Sequence, residues 1–207
     1  MKTPKYFTIE DLISLIDEPN RTGCFKILNE NRQLFETVRG STHNHQTWGG
    51  GILDHVTDGM NYAYYLYEFD KNFGRPLPFS LSDSLLIFFL HDLEKPWRIE
   101  VMEDGTVRNR PGLDTKEAFK KFREDKLIEY GINLTPAQLN GLTYVEGEMN
   151  DYSSKRRVMN ELAAFCHKVD VHSARIWFDY PKKAGEDEWQ GADRVRLLKV
   201  NKTKENI

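Results

Sequence analysis

The sequence predicts an all-α fold, a mostly helical bundle with one small β-hairpin near residues 99–108. Three observations carry this expectation. Apolar residues recur at three- and four-residue spacing in one stretch after another. Those stretches open on Ser or Thr and close at Gly or Pro. The one strand-like pair of runs flanks Glu103-Asp104-Gly105, and Asp-Gly between two such runs is a hairpin signal.

Residues 8–17 carry Ile9, Leu12, Ile13 and Ile16 at helical spacing, with Thr8 as the cap. A second helix is expected over 30–38, around Leu34, Phe35 and Val38. The triplet Gly49-Gly50-Gly51 precedes a long helix from residue 52 to about 69, with Leu53, Val56, Met60, Ala63 and Tyr67 on its apolar face. Pro76 and Pro78 break the chain, and Ser80 or Ser82 caps the next helix. That helix, 81–93, is apolar almost all round and is therefore expected to be buried, and Pro96 ends it. Residues 99–101 and 106–108 form the hairpin. Helical pattern resumes over 115–130, capped by Thr115 and stopped by Gly131. It continues over 135–142, with Thr135 as cap and Pro136 at the first helical position. A long helix is expected over 154–177, ended by Pro181, then a short strand at 195–200 and a frayed tail.

With 207 residues, the chain can build one sizeable core and a small appendage. We expect an N-terminal helical segment (1–40) packed on a main domain (41–180), with an extension at 181–207. Hydrophobic residues make up 39% and charged residues 29%, as in a water-exposed globular domain. No apolar run approaches the roughly 20 residues of a membrane span, and the polar start lacks a signal-peptide core. A cytoplasmic protein without membrane partners is expected. Cys24 and Cys166 form no framework and read as reduced, buried thiols. The net charge of −3 argues against a protein built to coat nucleic acid, although basic residues cluster at 120–126, 155–157 and 194–204.

Chemistry concentrates in four residues. His55 follows the glycine turn inside an apolar helix, His91 and Asp92 are adjacent near the end of the most apolar helix, and Asp170 interrupts another apolar stretch. An ionised aspartate on such a face is costly unless a partner or a metal compensates it. Imidazole and carboxylate together suit a divalent cation such as manganese, iron, cobalt, nickel, zinc or magnesium.

The segments that carry these residues read GGGILDHV, FFLHDLEKPW and CHKVDVHSAR. Their order, His then His-Asp then a distant Asp, resembles the HD-domain superfamily of metal-dependent phosphohydrolases. HDLEKP looks like the HD-x-G-K-P form. NHQTWGGG before His55 is similar to a stretch of HD-domain 3′-5′ exonucleases. The third segment looks like the terminal helix of that domain, where an Asp is followed by a small residue a few positions on. The resemblance covers roughly residues 42–177. It implies a helical fold, a metal at His55, His91, Asp92 and Asp170, and hydrolysis of a phosphate ester or anhydride by metal-activated water. Two departures stand out. Glu94 occupies the usual glycine position, and Tyr144-Val145-Glu146-Gly147-Glu148 stands where many relatives have a histidine. A second metal would have to use Glu146, Glu148, His43 or His45.

Other roles follow as expectations. Lys95 lies four residues after His91 and can meet a phosphate at the metal if the helix continues that far. His45, or less well His43, can donate a proton or bind phosphate. Glu94 or Asp58 can orient water as a general base. His167, at i−3 from Asp170, is the better supporting histidine of His167 and His172. Arg156 and Arg157 can clamp phosphate, and Trp48, Trp97, Tyr144 and Tyr152 can stack on a base. The leading expectation is an enzyme acting on a nucleotide or similar small phosphate compound. The alternatives are a 3′-5′ exonuclease on single-stranded RNA or DNA, and a binding or regulatory module that keeps the fold without catalysis.

Overall fold

The computed structural model describes residues 5–42, 44–102 and 107–179. Several expectations lie outside the described residues: His43, the turn 103–105 with Thr106, the Pro181 stop, the strand at 195–200, and the whole 181–207 extension with its basic cluster.

The fold is helical with a single antiparallel hairpin among the described residues. Helix α1 (Ile9–Ile13) opens on a full capping box between Thr8 and Asp11. Helix α2 (Asn20–Glu30) was not expected from the sequence. Its apolar pattern is thin, Cys24, Ile27 and Leu28, and no side chain caps it. Tertiary pairing fixes it instead: Asn20 exchanges two hydrogen bonds with the backbone of Asn133, at 2.9 and 2.7 Å. Helix α3 (Arg32–Thr37) is shorter than the expected 30–38.

Helix α4 (Gly51–Asn72) is the longest of the described helices and passes through the middle of the core. Gly50 caps it at φ +78°. A Cβ at Gly51 would sit 1.8 Å from the Gln46 carbonyl oxygen, so only glycine lets the preceding loop fold this tightly onto the helix. Helix α5 (Leu81–Leu90) has a Ser80–Asp83 capping box and is almost wholly buried, as its composition predicts. It ends three residues earlier than expected. Pro96 does not simply end it, because it lies in the first turn of a separate short helix, α6 (Lys95–Arg98), where its missing N–H costs nothing.

Strands β1 (Ile99–Val101) and β2 (Val107–Asn109) pair antiparallel with Ile99 opposite Asn109, the second strand ending one residue beyond the expected 106–108. Helix α7 (Lys116–Glu129) follows, capped by Thr115, and buries no residue. Helix α8 (Pro136–Tyr144) has a Thr135–Gln138 capping box. Helix α9 (Glu161–Arg175) begins seven residues later than expected, because Asn160 caps it and the preceding residues form a loop. Asn160 accepts from Ala163 N at 2.8 Å, while its own backbone N–H donates to Asn140 at 2.9 Å.

One apolar cluster runs from Ile9 to Val169, so the N-terminal helices and the main domain share a core. At its centre α4, α5 and α9 pack on one another. Gly59 on α4 makes this possible: a Cβ there would lie 2.0 Å from the Phe88 ring of α5. No described helix is long and apolar enough to cross a membrane.

Candidate metal centre

His55 sits in the second turn of α4, His91 and Asp92 at the end of α5, and Asp170 on α9. The helix packing brings their polar atoms to one point. His55 Nε2 and His91 Nε2 are 3.1 Å apart. Asp92 Oδ2 lies 3.5 Å from His55 Nε2 and 3.1 Å from His91 Nε2. Asp170 Oδ1 lies 3.4 and 3.6 Å from the same two nitrogens. Ligand atoms held about 2.0–2.2 Å from one divalent ion stand about 3.0–3.5 Å apart when adjacent, so these spacings suit a shared ion. His55, His91 and Asp170 form a group able to hold a metal ion, two of them buried and Asp170 partly open.

The surroundings aim the imidazoles. His91 Nδ1 lies 2.6 Å from the Phe88 carbonyl, which can only accept, so Nδ1 carries the hydrogen and a neutral ring offers its Nε2 lone pair to the cluster. His55 Nδ1 lies 3.0 Å from Ser173 Oγ. Burial lowers the pKa of His55. Burial also opposes protonation of His91, but Asp92 and Asp170 outweigh it and lift His91 to about 10. Burial works against ionised Asp92, yet His91 and Lys95 hold it well below the usual carboxylate range. Hydrogen bonds from His55 and His91 do the same for Asp170. Two carboxylates this deep in the protein demand positive charge, either a proton on His91 or a divalent cation in its place. The donor set fits a borderline or hard divalent metal.

Lys95 is reached differently from the expected continuous helix. The chain turns after Leu90 and Lys95 starts α6, but its Nζ lies 2.5 Å from Asp92 Oδ2, at the edge of the cluster. The ring of His45 lies 4.6 Å from that of His55. Its Nδ1 is 2.7 Å from Gln46 Oε1, while the Gln46 amide donates to the Trp177 carbonyl at 2.9 Å, so His45 Nδ1 is the protonated nitrogen and Nε2 is free to accept. Burial, with the neighbouring His55 and Lys95, lowers the His45 pKa to about 3. The expected roles of proton donor and phosphate ligand both call for a hydrogen on the ring nitrogen nearest the cluster, and burial disfavours the charged ring that would carry one on each nitrogen.

Asp58 is not brought to the cluster. It faces the N-terminal segment, where Tyr6 Oη donates to it at 2.5 Å, and burial raises its pKa well above the ordinary value. A general-base role for Asp58 does not fit this position. Glu94 is buried beside Arg98 (3.2 Å) and Arg123 (3.9 Å), pointing into an ion-pair network rather than at the four ligands. His167 Nδ1 hydrogen-bonds the Val145 carbonyl at 2.8 Å, and His172 stacks on Tyr62 at 3.9 Å. Arg156 and Arg157 are exposed, the latter paired with Glu161. Trp48 donates to Asp54, Trp97 packs against Phe35 and Phe122, and Tyr144 bonds Asp151. Tyr152 is exposed.

Three supporting residues escape a reading of the sequence. Gln46 is polar and yet wholly buried. Ser173 had a signal, the small residue one turn after Asp170. Arg123 lies in a basic run, and its Nη1 donates to the His91 carbonyl at 2.6 Å.

No protein-family model matches the chain, and no curated protein or solved structure matches it significantly.

Proposed function

We propose that the protein is a metal-dependent phosphohydrolase of the HD-domain type, acting on a nucleotide or a similar small phosphate ester or anhydride. The observation that carries this reading is the convergence of His55, His91, Asp92 and Asp170, from three helices, with five separations of 3.1–3.6 Å. A divalent ion held there supplies Lewis acidity and lowers the pKa of a bound water toward about 7. The chain's own groups do the rest. Lys95 places an ammonium beside Asp92, where it can meet a phosphate oxygen. His45 presents its Nε2 beside His55, where it can accept a hydrogen bond that orients a water. Packing of α4, α5 and α9 excludes bulk water from all but the Asp170 side.

Charge pairing favours a small substrate over a polynucleotide. The basic residues of α7 are largely answered on their own helix, Lys121 by Asp125 at 3.1 Å and Lys126 by Glu129 at 2.8 Å. A groove that binds single strands needs cations free to face successive phosphates. The test is metal analysis of the purified protein, followed by mononucleotides and single-stranded oligonucleotides offered with manganese, cobalt or magnesium at low salt. Release of phosphate, pyrophosphate or triphosphate from mononucleotides, with much weaker action on oligonucleotides, is expected. Processive degradation of oligonucleotides with intact mononucleotides would replace this reading with the exonuclease one. Stoichiometric metal without turnover of either would favour the binding module.

A further inference from the structure

Gln46 lies in the loop between α3 and α4 and is wholly buried, a rare place for a primary amide. Its φ is +39°, in the left-handed region that residues other than glycine seldom adopt. Gly40 and Gly51 close around it: a Cβ at Gly40 would stand 3.0 Å from Gln46 Cβ, and one at Gly51 would meet the Gln46 carbonyl. Glycine at position 46 would relax the backbone, so the side chain is what this conformation holds in place. Strain of that kind persists where the surrounding structure over-determines it, and it gathers at functional sites.

The amide is committed at both ends. Its Nε2 donates to the Trp177 carbonyl at 2.9 Å, and its Oε1 lies 2.7 Å from His45 Nδ1. The main chain supports this, with Gln46 N–H donating to the Phe178 carbonyl at 2.7 Å and the Gln46 carbonyl accepting from Gly40 at 2.9 Å. The acceptor at Trp177 is itself held in place, because the Trp177 ring meets that of His172 at 4.5 Å and that of Tyr62 at 5.5 Å. A carbonyl can only accept, so turning the Gln46 amide over would set oxygen against oxygen there. Trp177 therefore decides which end of the amide faces His45.

The backbone of His45 is held as well. Ser41 Oγ accepts from the His45 N–H at 2.9 Å and donates to the His45 carbonyl at 3.1 Å. With its main chain and Nδ1 both tied, the ring stands 4.6 Å from that of His55, and Nε2 is its remaining polar atom.

We infer that Gln46 is a positioning residue for the proposed hydrolysis: anchored on the docked end of α9, it holds His45 as the Nδ1–H tautomer, so that Nε2 serves as the acceptor that orients the attacking water. The water donates to His45, His45 to the Gln46 amide, and the amide to the Trp177 carbonyl; bonds in such a chain polarise and strengthen one another. Gln46 makes and breaks no covalent bond. This role rests on the hydrolase reading above and adds the group that fixes the water's direction.

The experiment reads the tautomer in metal-free, full-length protein with isotope-labelled histidine, by long-range proton–nitrogen NMR, with His45→Ala to assign the signals. The parent is expected to carry a hydrogen on His45 Nδ1 and none on Nε2. Gln46→Met keeps the length of the side chain and loses both of its bonds, while Gln46→Gly suits the left-handed backbone and loses the amide. Both should release the ring into a mixture of tautomers and bind manganese as the parent does. Both should lower kcat on mononucleotides with manganese about tenfold with little change in KM, the scale of one orienting hydrogen bond. In a His45→Ala background, Gln46→Met should cost no more than about twofold, a dependence that a merely structural role would not produce. The inference is overturned if parental His45 carries its hydrogen on Nε2 or on both nitrogens, or if Gln46→Met acts equally in the two backgrounds. Released tautomers with parental kcat would sink the positioning role and leave the hydrolase standing. A locked ring without hydrolysis of any mononucleotide would sink the hydrolase reading and the role within it.

Discussion

The candidate metal centre and helix α7 are built to opposite rules. His55, His91 and Asp92 are buried on helices locked into the core, with Gly59 allowing α4 to press against α5. Helix α7 buries nothing and is held by scattered contacts: Arg123 to the His91 carbonyl, Arg98 over Phe119, and Lys126 over the Trp97 ring at 5.0 Å. The contrast separates two tasks. Ligand atoms must hold ångström positions, which dense packing provides. A helix that buries no residue is easier to displace.

The comparison breaks most completely at the ligands. Asp92→Ala should abolish both metal binding and activity while circular dichroism retains most of the helicity; full metal content in that variant would refute the site. Next comes the packing that shapes the site. Gly59→Leu forces a side chain into the Phe88 ring, and thermal or urea unfolding should show a loss of roughly 1–3 kcal/mol or more. Lys95→Ala should keep the metal and lower kcat/KM by roughly 1–3 kcal/mol, the scale of a charged hydrogen bond. Unchanged kinetics would confine Lys95 to its pairing with Asp92.

The contact between Asp58 and the N-terminal segment offers a pH test. Asp58 has its folded pKa raised above the ordinary 3.8, chiefly by burial. The stability this contributes is fully present below 3.8 and is lost as pH rises through the elevated folded value. Asp58→Asn, which cannot ionise, should therefore gain on the parent as pH rises above about 3.8 and level off once the folded pKa is passed. A pH-independent difference between the two in chemical denaturation would show that Asp58 is not the group responsible. The smallest effect belongs to α7, where Lys121→Ala breaks only an exposed pair with Asp125 and should change stability by less than about 0.5 kcal/mol.

Much of this architecture is readable from local chemistry. The caps at Thr8, Ser80, Thr115 and Thr135 and the hairpin strands stand at or near where residue type alone places them. The four candidate ligands were legible because each is a polar group on an apolar helix. What was hidden depends on distant partners. Helix α2 is fixed by Asn133, more than a hundred residues away, and its own periodicity is slight. The late start of α9 depends on Asn140. Asp58 reads as a catalytic candidate because one-dimensional spacing does not reveal which face of a helix meets Tyr6.

The bond between Gln46 and the end of α9 has a consequence for the order in which the protein matures. Gln46 N–H reaches the Phe178 carbonyl at 2.7 Å, and Ser173 meets His55 across 118 residues of sequence. Closing loops of that length is slow compared with forming local helices. On the ribosome, His55, His91 and Asp92 emerge long before Asp170, while Gln46 waits for residue 178 before His45 can settle. A divalent cation offered to the growing chain would meet an incomplete set of candidate donors, because the full cluster forms only once α9 has left the exit tunnel and docked.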